Sequence, residues 1–192
     1  MAAPFQLVAG VGALVGLGVL FLLGRRVLRA WVKYRGTRIV VCPESLEMVA
    51  VQVDAGHAAA TASQGRSQLR LEACTRWPER ARCGQECLGQ IESAPEACLL
   101  RNILADWYGG KACVMCGRVF GAIRWHDHAP ALVSPDGATV EWSGFAPEQV
   151  VDVLATHEPV CWDCHNAERF RREHPELVTE RPQRLGPPPS MV

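Results

Sequence analysis

The sequence predicts an α+β protein with one N-terminal transmembrane helix ahead of a small domain built from short strands and helices. Three observations lead there. Residues 5–24 read FQLVAGVGALVGLGVLFLLG, an apolar run in which Gln6 is the one polar side chain. Beyond it, short β-branched runs alternate with helical stretches. The 192 residues also hold nine cysteines and six histidines, a density that points to metal or redox chemistry.

The apolar run is twenty residues long, and at about 1.5 Å per residue a helix of that length crosses roughly 30 Å of hydrocarbon. Its basic residues follow the run and no A-x-A-like site separates them from it, which favours an uncleaved anchor over a signal peptide. Arg25, Arg26, Arg29, Lys33, Arg35 and Arg38 stand beyond the helix, so the positive-inside rule places the N-terminus outside and the C-terminal domain in the cytoplasm. Gly12 and Gly16, with Ala9 and Ala13, form small-xxx-small pairs through which two such helices could dimerise. Trp31 and Tyr34 fit an interfacial aromatic belt.

Formal charge is zero overall, yet residues 39–192 carry fourteen basic against twenty acidic side chains, a net −6. That balance suits a phosphate backbone poorly, so nucleic acid is an unlikely partner and a protein at the membrane a better one. With 48% hydrophobic residues, neither wholesale disorder nor a polytopic membrane protein fits.

The expected organisation is a transmembrane anchor at 1–24, a basic juxtamembrane segment at 25–37, a strand-rich then helical cysteine-containing unit at 38–110, a metal-stabilised unit at 111–175 and a flexible tail at 176–192. Residues 38–54 read as two β-branched strands around a turn at Pro43 to Ser45. Residues 55–67, rich in Ala, Gly and Ser, read as a weak helix or connector. A third strand, 68–73, delivers Cys74. Pro78 opens a helix to Ser93 that would set Cys83 and Cys87 on one face at i and i+4. A second helix, 96–108, carries the stripe Leu99, Leu100, Ile103 and Leu104, and Gly109-Gly110 ends it. Strand-like FGAIRW, PALVS and ATVEW follow, with a Pro-Asp-Gly turn at 135–137; then come a short helix at 147–156 and a polar helix that Pro175 stops.

Cys113-Val-Met-Cys116-Gly117 and Cys161-Trp-Asp-Cys164 give CxxC…CxxC. Four thiolates at this spacing can close a tetrahedron around Zn2+ at about 2.3 Å per bond, and the glycine permits the tight turn. In a reducing compartment such thiols are ligands or redox groups in preference to structural disulfides. A second zinc set is available in Cys42, Cys74, Cys83 and Cys87, with Cys98 as a substitute for Cys42. A thioredoxin-like active site is disfavoured, because Gly109-Gly110-Lys111 and no strand runs into Cys113.

The order of knuckle, hairpin, CxxC and helix resembles the treble-clef and zinc-ribbon-like zinc-binding domains. The 44 residues between the pairs exceed what a minimal finger needs, so 145–159 reads as an insertion. Trp125-His126-Asp127-His128-Ala129-Pro130, followed by Cys161-x-x-Cys164-His165-Asn166, partly resembles the HNH endonucleases. That resemblance implies His128 as general base with Asp127 and His165 holding a catalytic divalent cation. The His128 to Pro130 spacing is one residue short of the family pattern, no asparagine lies between Trp142 and Cys161, and the helix after CxxCH lacks the usual lysine. Cys161 to His165 also satisfies the c-type haem pattern CxxCH. The leading expectation is therefore a membrane-anchored cytoplasmic zinc protein that serves as a non-enzymatic interaction module. An HNH-like nuclease, or a haem or iron–sulfur electron carrier, is the alternative.

Overall fold

The computed structural model describes residues 3–80 and 82–177, with the side chains of the first helix described at 12 and from 14 onward. It is an α+β chain that divides into two compact units, the first ending at Leu99 and the second beginning at Leu100. The division falls ahead of the helix that Gly109-Gly110 terminates.

Unit 1 begins with helix α1, Ala3–Tyr34. The basic segment belongs to the same continuous helix, and this overturns the transmembrane reading of residues 5–24. Among the described residues no helix is long and apolar enough to cross a membrane. From Leu14 onward every eighteen-residue stretch of α1 takes in Arg25, Arg26 and Arg29, too many charges for a span. The expected membrane localisation, with a cytoplasmic domain and an outer N-terminus, falls with it. Ala9 and Ala13 lie outside the described side chains, as does the tail beyond 177.

The last turns of α1 pack within unit 1. Ala30 meets Ala59 and Ala62 of helix α2 (Ala55–Ala62), where small side chains let two helices approach. Tyr34 is buried in the unit's main core, so it is a packing residue and no part of an interfacial belt. Arg38, fully buried, caps α1: its guanidinium donates to the carbonyls of Tyr34 at 2.7 Å and Gly36 at 3.0 Å. A cation there also faces the negative end of the helix dipole.

Strands β1 (Thr37–Val41), β2 (Met48–Val53) and β3 (Leu71–Cys74) form an antiparallel sheet in that order. Val40, Val49, Val51 and Val53 lie on the face that meets Ala58 of α2 and Ile91 of α3 (Leu88–Ser93). Asp54 starts α2 by accepting the N–H of His57 at 2.8 Å, and Arg70 grips its other oxygen. The expected helix from Pro78 to Ser93 is reduced to α3. Gln85 adopts φ +55, a left-handed conformation that breaks the helix, so Cys83 and Cys87 do not share a helical face. The following helix begins only at Leu100, because Cys98 and Leu99 pair instead with β1: Ile39 N–H donates to the Cys98 carbonyl at 2.8 Å.

Unit 2 contains α4 (Leu100–Tyr108) and an antiparallel sheet ordered β5-β4-β6, from β4 (Ala131–Val133), β5 (Thr139–Val140) and β6 (Glu158–Val160). α5 (Val150–Thr156) and α6 (Trp162–Glu173) complete it. FGAIRW forms no strand; within it Arg124 makes a single bridge with His128, and just ahead of it Val119 bridges Ala112. The alternation along β4 divides the core. Leu132 points into an aromatic cluster with Tyr108, Trp107, Trp142 and Phe145, while Ala131 and Val133 face the cysteines. Tyr108 is anchored by donating to the Ala131 carbonyl at 2.6 Å.

Candidate metal centre

The first cysteine pair sits on a turn whose hydrogen bonds follow from its sequence. Cys113 N–H donates to the Arg118 carbonyl at 2.9 Å, and Gly117 N–H returns to the Cys113 carbonyl at 2.8 Å. Closing that loop requires φ +72 at Gly117, a conformation that glycine adopts without a Cβ penalty. The second pair comes from the join of β6 and α6, with Cys161 at the N-cap and Cys164 in the first turn. The two parts meet through the backbone. Val114 N–H donates to the Pro159 carbonyl at 3.0 Å, and Cys161 N–H donates to Cys113 Sγ at 3.3 Å. On the surface, Arg118 braces Asp163 at 2.5 Å.

The sulfurs of Cys113, Cys116, Cys161 and Cys164 all lie within 4.8 Å of one another, a spacing at which they could hold a metal ion. Cys116 Sγ and Cys161 Sγ are 3.8 Å apart. Burial pushes the Cys113 thiol up, but the N–H groups of Cys161, Cys116 and Met115 outweigh it and hold the thiol below its ordinary range. Cys161 and Cys164 are held above that range, chiefly by burial. Four thiolates so close together repel one another unless a cation offsets their charge, which is how thiolate sites couple metal binding to folding.

Among the described residues this is the one group of three or more metal-binding side chains that meets such a spacing. Asp127, His128 and His165 do not converge. The His128 ring packs tilted against Trp162 at 4.8 Å between ring centroids, and Asp127 lies 3.5 Å from its Nδ1. His165 is buried and directs Nε2 at Glu141, 3.3 Å away. Its other nitrogen, Nδ1, is also buried and has no hydrogen-bond partner. His126 is exposed on the turn between Arg124 and His128.

The earlier cysteines lie in unit 1. Cys42 follows β1, Cys74 ends β3, Cys83 lies in the loop before α3, and Cys87 is buried immediately ahead of that helix. Cys42, Cys74, Cys87 and Cys98 all border one core. Backbone N–H donation from Ser45 brings the Cys42 thiol down to about 7, whereas burial raises that of Cys87 to about 11. Cys98 is spent elsewhere, donating to the Ala94 carbonyl at 3.3 Å.

Sequence reasoning did not find the Arg118–Asp163 brace, the role of Pro159, or the Glu141–His165 pair. The first had a signal, since a cation one residue past the knuckle glycine and an anion inside the second CxxC are natural partners. The other two depend on the third strand of the sheet, which the Pro in Glu158–Val160 conceals. No protein-family model, curated protein or solved structure matches the chain.

Proposed function

We propose that the four cysteines of unit 2 hold one structural Zn2+ in a treble-clef-like arrangement, and that the unit is a non-enzymatic module that presents a rigid surface to a partner protein. The observation that carries the reading is the mutual approach of four thiols to within 4.8 Å. An ion with four thiolate ligands has no open position for water or substrate, which is the signature of a structural site. A unit of under a hundred residues gains from such an ion the stability that its divided core supplies sparingly.

The placement of Asp127, His128 and His165 supports the non-enzymatic side of the reading, since a catalytic cation would need them together. Haem attachment is disfavoured in the same way: Cys161 and Cys116 are neighbours, and the His165 ring is buried against Glu141. A surface for a partner lies next to the cysteines, in a cleft of about 380 Å3 lined by Val119, Ile123, His128 and Trp162. Val119 is 65% exposed there.

Thermal unfolding of the full chain with and without a chelator tests the reading. A colourless, zinc-containing protein whose unit 2 unfolds on chelation agrees with it. Unaltered melting after complete metal removal, a brown or Soret-absorbing sample, or Mg2+-dependent nicking abolished by His128→Ala would overturn it.

A further inference from the structure

Two turns in this chain are built alike. In unit 2, Cys113 N–H reaches the carbonyl five residues on, and the N–H of Gly117 returns to the Cys113 carbonyl with φ +72 at Gly117. In unit 1, Cys42 N–H reaches the Glu47 carbonyl at 2.9 Å, and Leu46 N–H returns to the Cys42 carbonyl at 2.8 Å with φ +58 at Leu46. The sulfurs are cradled alike too. The N–H groups of Met115 and Cys116 favour the thiolate of Cys113, and those of Glu44 and Ser45 that of Cys42, at the same two offsets. A leucine in the left-handed region costs about 1–2 kcal/mol, and Leu46 is 80% exposed, so packing of its side chain does not explain the conformation. What the turn achieves is to bring the Glu44 and Ser45 N–H groups to bear on one sulfur.

Ser45 stands where the first turn has Cys116, so the remaining sulfurs must come from elsewhere, and the sheet brings them. Cys42 lies two residues beyond Val40, on the face where Val40 pairs with Val49 and Val51 pairs with Cys74. Cys87, 6% exposed, closes the same core from the other side. Cys42 and Cys74 pack against the core to which Cys87 belongs, and Cys83 lies four residues before Cys87 in the chain. Arg76 Nη1 donates to Cys42 Sγ at 3.3 Å, a counter-charge at the edge of the group.

We propose that Cys42, Cys74, Cys83 and Cys87 form a second tetrathiolate site, in unit 1, for one Zn2+, with the Cys42–Glu47 turn as its knuckle. The comparison of turns rests on reading the Cys113 turn as a metal knuckle; the convergence on Cys87 does not. No three of these four sulfurs reach the mutual 4.8 Å spacing of those in unit 2, so the site requires them to draw together around the ion.

Native mass spectrometry of the full chain separates the two sites. Two zinc ions are expected in the wild type, one in Cys83→Ser/Cys87→Ser and one in Cys113→Ser/Cys116→Ser. A single ion that survives the first pair of substitutions and is lost with the second overturns the unit 1 site and leaves the unit 2 reading standing. The converse pattern overturns the unit 2 reading alone, and no zinc at all overturns both. Alkylation of the unmutated protein gives an answer that does not depend on any variant folding. Cys42, Cys74, Cys83 and Cys87 should be protected until a chelator is added, while labelling of Cys98 is unchanged by it. Labelling of those four that ignores the chelator, or disulfides among them, would overturn the proposal.

Discussion

The Cys113 and Cys42 turns share their backbone hydrogen bonds, but a second thiol stands at 116 where a serine stands at 45. In unit 2 each pair of ligands is local, so two short peptides arrive with their sulfurs already aimed at one point, and only the docking of β6 against the knuckle is needed to gather all four. In unit 1 the four cysteines come from a turn, a strand end and a loop, so the proposed site depends on the sheet and α3 to bring them near one another. The comparison teaches that a metal can build a fold around adjacent ligands, whereas dispersed ligands need a fold to be built first.

The largest effect should follow from breaking the local pairs. Cys113→Ser removes a thiolate at a position only 2% exposed and should cost unit 2 more than about 3 kcal/mol. Hydrogen exchange should then show lost protection at Val114, Gly117 and Leu132, with Val49 to Val53 still protected. Acidification should act in the same direction. Bound thiols are held deprotonated, so their stabilisation is present at neutral pH and lost as pH falls and protons compete with the ion.

An intermediate effect should come from the left-handed residues, with opposite sign in the two turns. A Cβ at Gly117 would meet no atom within 4 Å, so Gly117→Ala carries only the conformational penalty of φ +72, about 1 kcal/mol. Leu46→Gly should relieve the equivalent strain and raise the stability of unit 1 by about 0.5–1 kcal/mol. Denaturant titrations that follow each unit separately would measure both, and equal signs would break the likeness of the two turns.

The smallest effect belongs to Arg118→Ala. The Arg118–Asp163 pair is short, but its side chains are 65% and 53% exposed. It should be worth under about 1 kcal/mol and fade with salt.

Local spacing made the unit 2 centre legible in the sequence. CxxC places two sulfurs within a single turn, Gly117 marks the left-handed residue, and the polar run after Cys161 stops at Pro175, so the four gathered cysteines and α6 could be read directly. The β-branched runs around 38–54 were legible for the same reason, their alternation being set by neighbours along the chain. Features fixed by distant partners were not. Leu46 and Gln85 enter the left-handed region without a glycine to announce it, and Gln85 breaks the helix that Pro78 and the spacing of Cys83 and Cys87 suggest. Cys98 and Leu99 join β1 because Ile39 and Arg38 are there to pair with them. Residues 5–24 misled because hydropathy was read as if the run stood alone, while α1 continues through Arg25, Arg26 and Arg29 into a packed end at Ala30 and Tyr34.

Zinc K-edge absorption on the full-length protein bears most directly on the four-sulfur centre of unit 2. With Cys83 and Cys87 replaced by serine, the expected spectrum is a single shell of four sulfurs at about 2.3 Å. A shell containing nitrogen or oxygen, or no bound zinc in a folded protein, would contradict it.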